Sequence, residues 1–215
     1  LYRETLARLR PTEGELAPQA ARELLAMASG KSVAALLADL ELYASEAVEE
    51  KLGGLTERYL SGCPLAYLAG QWDFYGLTLT VTPDVLIPRD DTMAVTELAI
   101  EVLRETEGPA RALDLCTGSG CIGLAIAHAL PQVRVTLGDV SVPALRVAKQ
   151  NLAVLGLGKR VTAFELDVLQ PAPAFLGQFD VIVSNPPYVT AAEMAELEPS
   201  VREFEPHLAL DGGAD

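Results

Sequence analysis

Apolar residues in the first part of the chain recur with the spacing of helices. Residues 23–27 and 32–38 are rich in Ala and Leu, with apolar positions three or four residues apart. Residues 55–61 have a similar pattern and predict one more helix. The residues expected to separate these short helices are Pro11, Pro18, Gly30 and the pair Gly53-Gly54. The pattern therefore predicts a small all-helical domain over residues 1–69, and partner recognition is the role we expect of it.

From Gly70 the pattern changes to alternation of apolar and polar positions. Residues 77–82 read Leu-Thr-Leu-Thr-Val-Thr and follow a Tyr75-Gly76 break, which predicts a β-hairpin within a linker over residues 70–91. Residues 92–106 return to helical spacing. Their predicted apolar stripe consists of Val95, Leu98, Ala99, Val102 and Leu103.

Beyond Gly108-Pro109, apolar strand-like runs alternate with helical stretches. The predicted strands are 112–115, 133–137, 161–166 and 179–184, and the predicted helices are 122–130 and 143–155. Such alternation is typical of a parallel sheet covered by helices on both faces, so we expect an α/β domain over residues 92–215. Four strands are fewer than the usual sheet of about five to six, and we expect the carboxyl-terminal part of this domain to lie beyond Asp215.

The first predicted strand runs into a glycine loop and then a helix. Residues 114–123 read Asp-Leu-Cys-Thr-Gly-Ser-Gly-Cys-Ile-Gly. Gly118 and Gly120 can adopt positive φ and let a ligand approach the backbone, while Gly123 permits close packing of the helix on the strand. Asp114 lies inside the strand, where a dinucleotide-binding site usually has an apolar residue. Its carboxylate could bind the ammonium group of an amino-acid moiety.

Two further acids follow the next two strands. Asp139 ends the second strand about 20 residues beyond the glycines, where a carboxylate can accept hydrogen bonds from ribose hydroxyls. Asp167 ends the third strand and could face an adenine amino group, and Val168 could line the ring. With the glycine loop, these residues favour a nucleoside ligand. The alternative for Asp139 is an ordinary turn or cap residue ahead of Ser141.

The strongest chemical signal is Asn185-Pro186-Pro187-Tyr188, which follows the fourth strand. Two prolines have fixed φ and no N–H, so the loop is rigid and presents carbonyl oxygens. The Asn185 side-chain oxygen and the Pro186 carbonyl could each accept one hydrogen of a planar NH₂ group and aim its nitrogen at a bound methyl sulfonium. Tyr188 could pack against the planar group and exclude water. This arrangement predicts methyl transfer to an amide or exocyclic amine without a general base.

The composition narrows the class of function. Sixteen Lys and Arg against 30 Asp and Glu give a formal net charge of −14 and an isoelectric point near 4.5, which disfavours a tight nucleic-acid binder. The three cysteines form no Cys-x-x-Cys pair, so we expect no metal site and no disulfide framework. No apolar run reaches the roughly 18 residues of a membrane span. We expect a cytoplasmic monomer that binds neither membranes nor, stably, nucleic acids.

In combination, the glycine loop, Asp139 and the Asn-Pro-Pro-Tyr segment resemble a class I S-adenosylmethionine-dependent methyltransferase that acts on a planar nitrogen. Residues 67–77, 85–89 and 201–213 resemble the HemK/PrmC-type release-factor glutamine methyltransferases. The resemblance implies a Rossmann-like, mostly parallel sheet and a small helical amino-terminal domain that docks the substrate and is joined by the hairpin. It also implies methylation of the glutamine in the Gly-Gly-Gln motif of peptide chain release factors, with S-adenosylhomocysteine as the second product.

The resemblance assigns roles to individual residues as well. Cofactor contacts are implied for Cys116, Thr117, Gly118, Ser119, Gly120, Asp139, Val168 and Asn185. Glutamine contacts are implied for Asn185, Pro186, Pro187 and Tyr188, and a place at the substrate entrance for Phe74, Pro88 and Arg89. The chain departs from the family at Met93, where Glu is usual, and at Cys116, which replaces a common glycine. The cysteine is harmless if this position does not need a positive φ.

Three alternatives share part of this pattern. The same chemistry could act on a glutamine of a ribosomal protein, and only a substrate panel separates the two protein substrates. A nucleic-acid amino-methyltransferase would flip a base into the same pocket, although the net charge argues against it. A nucleoside-binding module or an NAD enzyme would have no use for the Asn-Pro-Pro-Tyr segment.

Overall fold

The computed structural model describes residues 1–38 and 44–213, in which the chain forms two compact units, Leu1–Ala69 and Gly70–Asp215. The helices of the first unit are α1 (Tyr2–Glu13), α2 (Ala17–Ser29), α3 (Val33–Ala38), α4 (Glu46–Leu60) and α5 (Leu65–Ala69), with a 3₁₀ turn at Gly14–Leu16. The helical character predicted for this part of the chain is confirmed for the residues described. No helix of either unit, within the described ranges, is long and apolar enough to cross a membrane.

Two of the predicted helix breaks in the first unit are wrong. Pro11 lies inside α1 near its end, and Gly53 and Gly54 lie in the middle of α4. Glycine costs a helix interior about 1 kcal/mol relative to alanine, so local propensity alone would interrupt α4. The flanking residues Leu52 and Thr56 are buried, and Leu52 belongs to the hydrophobic cluster of this unit. This packing outweighs the low helix propensity of the glycines.

The other two predicted boundaries in the first unit are confirmed. Pro18 lies in the first turn of α2, where its missing N–H costs no helical hydrogen bond. Gly30 ends the same helix with a φ of +68°, a conformation that glycine adopts without a steric penalty.

The second unit contains a hairpin, a parallel sheet and the helices that join its strands. The hairpin strands are β1 (Gln71–Phe74) and β2 (Leu77–Thr80), and the sheet strands are β3 (Arg111–Leu115), β4 (Arg134–Asp139), β5 (Val161–Glu165) and β6 (Val181–Ser184). The helices are α6 (Asp91–Glu105), α7 (Cys121–Ala129), α8 (Val142–Val154), α9 (Ala191–Glu196) and α10 (Pro199–Phe204), with 3₁₀ turns at Ala174–Leu176 and His207–Ala209. The order β5-β4-β3-β6, parallel throughout, confirms the predicted sheet.

The hairpin is confirmed together with its turn. Strands β1 and β2 pair antiparallel, and Tyr75 and Gly76 between them have φ of +49° and +77°, the signs that a two-residue mirror-image turn requires. Phe74, Leu77 and Leu79 belong to the main hydrophobic core of the second unit. The hairpin therefore packs into the core of the second unit.

One face of the parallel sheet is covered by helices. Residues of α6, α7 and α8 form a single hydrophobic cluster with Ala112 of β3 and Leu137 of β4. On the opposite face of β3, Leu113 packs against Leu166 and Leu176, which lie in the irregular segment after β5. The expectation of helices on both faces is therefore not met in the described part of the chain, because this segment is too rich in proline to form a long helix.

The stripe predicted on α6 is only partly correct. Its exposed members are Val95, Leu98 and Val102, which are 39%, 62% and 48% exposed. The buried face of the helix consists of Thr92, Thr96, Ala99, Ile100 and Leu103. The threonines tolerate burial because the Thr96 hydroxyl donates to the Thr92 carbonyl at 3.0 Å, and because apolar residues lie on both sides of the helix, periodicity alone could not orient it.

Candidate active site

The carboxyl ends of the parallel strands open into a cavity of about 480 Å³. Ligands of open α/β sheets bind at this end of the strands, and this volume lies within the range of about 300–1,000 Å³ that is usual for small-molecule sites. The lining residues that follow the strands are 116–119, 139–141, 166–169 and 185–187, and others come mainly from 84–89 and 206–213.

The carboxylate of Asp139 holds the glycine loop in place. Its Oδ2 accepts a hydrogen bond from the Gly118 N–H at 2.8 Å, and its Oδ1 accepts one from the Ser141 N–H at 2.8 Å. Asp139 thus lies at the cavity wall and also acts as a turn residue before α8, as the alternative interpretation proposed. Each carboxylate oxygen can accept more than one donor, so the predicted ribose contact stays a prediction.

The loop depends on glycine at the positions that the sequence indicated. Gly118 and Gly120 have φ of +54° and +85°, in the left-handed region that favours glycine. A Cβ on Gly118 would meet no atom within 4 Å, so the backbone faces open space there. A Cβ on Gly123 would lie 2.3 Å from Leu137 Cδ2, which confirms that this glycine permits close packing of α7 on the sheet.

Cys116 adopts the left-handed conformation as well, with a φ of +55°. The condition under which a cysteine is harmless at this position is therefore not met. An L-residue in this region is strained by about 1–2 kcal/mol, because its Cβ approaches the following carbonyl oxygen. Burial raises the pKa of the Cys116 thiol above its ordinary value, so a neutral thiol lines the cavity wall.

Asp114 lies behind the loop and is completely buried. Its Oδ2 accepts hydrogen bonds from Thr117 Oγ1 at 2.6 Å and from the Gly123 N–H at 2.9 Å, whereas Oδ1 has no partner among the residues that the structure describes. Burial raises the pKa of Asp114 to about 7, helped by the charge of Asp139 and opposed by these two hydrogen bonds. The carboxyl group organises the loop and does not itself line the cavity.

Asn185 is oriented by a residue of α6. Its Nδ2 donates a hydrogen bond to Thr92 Oγ1 at 3.3 Å, and the Ser184 hydroxyl next to it donates to the Leu115 carbonyl at 2.8 Å. No hydrogen bond within the described ranges occupies Asn185 Oδ1 or the Pro186 carbonyl. Two acceptors are therefore available beside the cavity, and both Asn185 and Pro186 line it.

Glu205 fastens the carboxyl-terminal segment to the segment that follows the hairpin. Its Oε2 accepts a hydrogen bond from the Ile87 N–H at 3.0 Å, and its Oε1 forms an ion pair with Arg89. The Glu205 side chain is only 1% exposed, whereas that of Arg89 is 42% exposed. One buried carboxylate thus joins two walls of the cavity and takes up one side of the Arg89 guanidinium.

Gly212 holds the same carboxyl-terminal segment against the Asn-Pro-Pro-Tyr loop. Its N–H donates to the Val189 carbonyl at 3.0 Å. A Cβ on Gly212 would lie 2.9 Å from Tyr188 Cα, so only glycine allows the two backbones to approach this closely. The conformation of the loop therefore depends on residues well beyond it in the sequence.

Comparison with known proteins identifies the family. The PrmC N-terminal domain family matches residues 1–70, and the Methyltransferase small domain family matches residues 89–208. The chain is 41% identical to the release factor glutamine methyltransferase of Bradyrhizobium diazoefficiens, over 99% of this chain and 72% of that protein. The chain belongs to the release factor glutamine methyltransferases. The resemblance inferred from the sequence motifs is thus confirmed, as is the methyltransferase fold.

Other release factor glutamine methyltransferases match as well. The protein from Moorella thermoacetica is 43% identical over 91% of this chain and 68% of its own length. The protein from Geobacter sulfurreducens is 44% identical over 75% of this chain and 55% of its own length. Among solved structures, the human methyltransferase 10 domain containing protein aligns with a TM-score of 0.43 at 19% identity, covering 53% of this chain and 55% of that chain, a likeness too weak to argue from.

S-adenosylmethionine is the methyl donor of release factor glutamine methyltransferases, and the cavity fits this cofactor. Two buried polar atoms at the glycine loop, Asp114 Oδ1 and Ser119 Oγ, have no partner within the described structure. The space over Gly118 is open, and the Asp139 carboxylate lies at the cavity wall. Ser119 and Asp139 line the cavity, and an unpartnered hydroxyl and a carboxylate beside open space suit a polar, positively charged ligand.

The structure brings most of the predicted site residues of this methyltransferase to one cavity. Those in its lining are Pro88, Arg89, Cys116, Thr117, Gly118, Ser119, Asp139, Asp167, Val168, Asn185, Pro186 and Pro187. Those outside the lining are Phe74, Asp114, Gly120 and Tyr188. Phe74 is 1% exposed within the hydrophobic core, whereas Tyr188 is 73% exposed. The individual contacts with cofactor and glutamine stay predictions.

Two residues of the site were not found by sequence reasoning. Thr92 was assigned only to a helix, and Glu205 only to a stretch that resembles the family. Thr92 lies three residues after Arg89, and a threonine on the buried face of a helix is the signal that points to it. For Glu205 the sequence carries no local signal, because its partners lie more than 110 positions away. No group of three metal-binding side chains occurs in the described part of the chain.

Proposed function

We propose that this chain transfers a methyl group from S-adenosylmethionine to the side-chain amide nitrogen of the glutamine in the Gly-Gly-Gln motif of peptide chain release factors. The observation that carries the proposal is the pair of available acceptors, Asn185 Oδ1 and the Pro186 carbonyl, in a cavity that fits the cofactor. The names of the relatives support a release factor as the substrate.

The acceptor pair suits a glutamine amide, whose two N–H donors match two acceptors. An amide nitrogen is a poor nucleophile because its lone pair is delocalised into the carbonyl. Two fixed acceptors favour a geometry in which this lone pair is more available, and they hold the nitrogen in place. S-adenosylmethionine supplies, when bound, an electrophilic methyl group. No side chain has to remove the amide proton beforehand, since the product nitrogen loses it readily.

The lining of the cavity supports the proposed cofactor contacts. The loop 116–120 and Asp139 would hold the amino-acid and ribose parts, Asp167 and Val168 the adenine ring, and Asp114 would support the loop from behind. Pro88 and Arg89 would lie at the substrate entrance. Tyr188 would cover the glutamine from its exposed position, and a large rearrangement would be needed for Phe74 to contact a ligand.

We further propose that residues 1–69 dock the release factor and that residues 70–91 connect this docking domain to the catalytic domain, residues 92–215. The match of residues 1–70 to the PrmC N-terminal domain supports the docking role. The net charge of −14 suits a partner with a basic surface and opposes stable binding to nucleic acids. Because release factors act in translation, the activity belongs to the cytoplasm, and we propose that the enzyme acts as a monomer.

Mass spectrometry of a methylated release factor tests the proposal. The full chain, S-adenosylmethionine and a purified release factor are incubated, and the tryptic peptide that contains Gly-Gly-Gln is analysed. We expect a mass increase of one methyl group on that glutamine and none in the Gln→Ala variant of the release factor. Equal labelling of both release factors, or labelling of only a ribosomal protein or an oligonucleotide in the same panel, would overturn the assignment.

A further inference from the structure

Asn151 makes three hydrogen bonds from a fully enclosed position on α8. It is 2% exposed. Its Oδ1 accepts from the Thr80 N–H at 2.7 Å, and its Nδ2 donates to the Thr80 carbonyl at 3.0 Å and to the Ser119 carbonyl at 2.9 Å. Because a backbone N–H can only donate and a carbonyl can only accept, these partners fix the orientation of the amide group.

The two partners of Asn151 belong to different segments, of which one lines the cavity and the other leads into its lining. Ser119 lies in the glycine loop and lines the cavity. Thr80 is the last residue of β2, and Asn151 pairs with its N–H and carbonyl as a neighbouring strand would. The chain then runs through the buried residues Val81 and Val85 into the lining segment 84–89. One planar amide therefore connects the cofactor loop to the segment at the substrate entrance.

We propose that Asn151 is a positioning residue that couples the cofactor loop to the β-hairpin and to residues 82–89. A ligand on the glycine loop fixes the direction of the Ser119 carbonyl, and the rigid amide transmits that direction to Thr80. Because coupling between two sites is reciprocal, a ligand that orders residues 82–89 also favours the conformation of the glycine loop that binds the cofactor. The inference rests on the proposed function only for the identity of the two ligands, the cofactor and the glutamine substrate. The coupling between the glycine loop and residues 82–89 does not depend on that function.

The chemistry of the amide explains why other side chains cannot replace it. Aspartate keeps the oxygen that accepts from the Thr80 N–H. It replaces the Nδ2 amino group by a second oxygen, which would face the carbonyl oxygens of Thr80 and Ser119. Leucine has a similar shape but leaves all three backbone groups without a partner. Only asparagine offers an acceptor and two donors at this distance from α8.

Hydrogen exchange in the hairpin tests the coupling without a protein substrate. Peptides that cover residues 77–89 are followed in the full chain with and without saturating S-adenosylhomocysteine. In the unaltered protein we expect the ligand to slow exchange in this segment by about tenfold. In Asn151→Asp, with ligand saturation checked by calorimetry, we expect protection of the glycine loop to persist and protection of residues 77–89 to be lost.

Two further variants separate coupling from general destabilisation. Val147→Ala removes a buried side chain one turn earlier on α8 and should keep the ligand-induced protection of residues 77–89. Asn151→Ser, which introduces no charge, serves if Asn151→Asp does not fold, and it should also lose this protection. Full protection of residues 77–89 in a ligand-saturated Asn151 variant, or no effect of the ligand in the unaltered protein, would overturn the proposal. Absence of release factor methylation would instead overturn the proposed function and leave this measurement unaffected.

Discussion

The two sides of the cavity are held by different kinds of contact. On the cofactor side, Asp114 bonds to Thr117 and Gly123, three and nine positions away, and the Asp139–Gly118 bond spans 21. On the acceptor side, the Thr92–Asn185 contact spans 93 positions, and Glu205 bonds to residues more than 110 positions before it. The cofactor loop is thus organised by its own neighbourhood, whereas the acceptor loop is organised by the tertiary fold.

Asn185→Ala removes one of the two acceptors on the acceptor side. Of the variants considered, it has the largest expected effect on the free energy of activation. Loss of one acceptor should cost about 3–4 kcal/mol of transition-state stabilisation, the scale found for one removed oxyanion-hole donor. The local contacts of the cofactor loop remain, so the affinity for S-adenosylhomocysteine should change little. Single-turnover kinetics and calorimetry measure the two quantities. Unchanged turnover would show that Asn185 has no role in the reaction.

Asp114 tests the local contacts of the cofactor side, because its protonation makes the stability of the protein depend on pH. Its folded-state pKa of about 7 lies above the ordinary value of an aspartic acid, so the folded protein binds a proton more tightly than the unfolded chain. Between pH 8 and pH 5 the ligand-free protein should therefore gain about 3 kcal/mol of unfolding free energy from this group. The gain is complete below the unfolded pKa and lost as the pH rises through about 7.

Asp114→Asn is the matched variant for this pH effect, since it keeps the shape but does not titrate. Urea unfolding at several pH values should show a flatter profile for the variant than for the unaltered protein. Identical profiles would mean that Asp114 does not titrate in this range.

Glu205→Gln tests the long-range contacts of the acceptor side. The amide oxygen can still accept from the Ile87 N–H, but the ion pair with Arg89 is lost, and we expect a loss of about 2 kcal/mol in unfolding free energy. The effect should extend to catalysis, with a higher KM for the release factor and little change in cofactor affinity. Glu203→Gln, which alters a largely exposed acid two residues earlier in the chain, is the control and should change neither quantity.

Thr92→Val separates the orientation of Asn185 from the packing of α6. Valine fills the same space but cannot accept the hydrogen bond from Asn185 Nδ2, and we expect kcat to fall by about tenfold, which corresponds to about 1.4 kcal/mol. Thr92→Ser retains the hydroxyl and should retain most of kcat. Equal kcat values for the two variants would exclude this role of Thr92.

Cys116→Gly has the smallest expected effect. Unlike the variants above, it should stabilise the folded protein. Glycine relieves the strain at a φ of +55° but makes the unfolded chain more flexible, and we expect a net stabilisation of about 1 kcal/mol. Thermal unfolding measures it. The comparison variant Cys121→Ala, at a buried position in α7, should destabilise the protein. A lower melting temperature for Cys116→Gly would contradict the assigned strain.

The distinction between contacts that are close in sequence and contacts that are far apart also explains which features the sequence could predict. The hairpin, the alternation of strands and helices, and the positive φ of Gly118 and Gly120 follow from local pattern and turn chemistry. The continuous helix through Gly53-Gly54 and the buried face of α6 depend on packing partners that no local window contains. The partner of Asn185 was missed for the same reason, although Asn185 itself was predicted.

The order of strands in the sheet also sets an order of assembly during synthesis. Strands β3, β4 and β5 are neighbours both in sequence and in the sheet, whereas β6 must return past them to pair with β3. A chain emerging from the ribosome can therefore form the strands that carry the glycine loop, Asp139 and Asp167 before β6 and the acceptor loop are synthesised. A nascent chain halted before residue 181 would lack the partner strand of β3 and both acceptors of the Asn-Pro-Pro-Tyr loop, so the proposed glutamine site is the last part of the cavity to be synthesised apart from the segment 206–213.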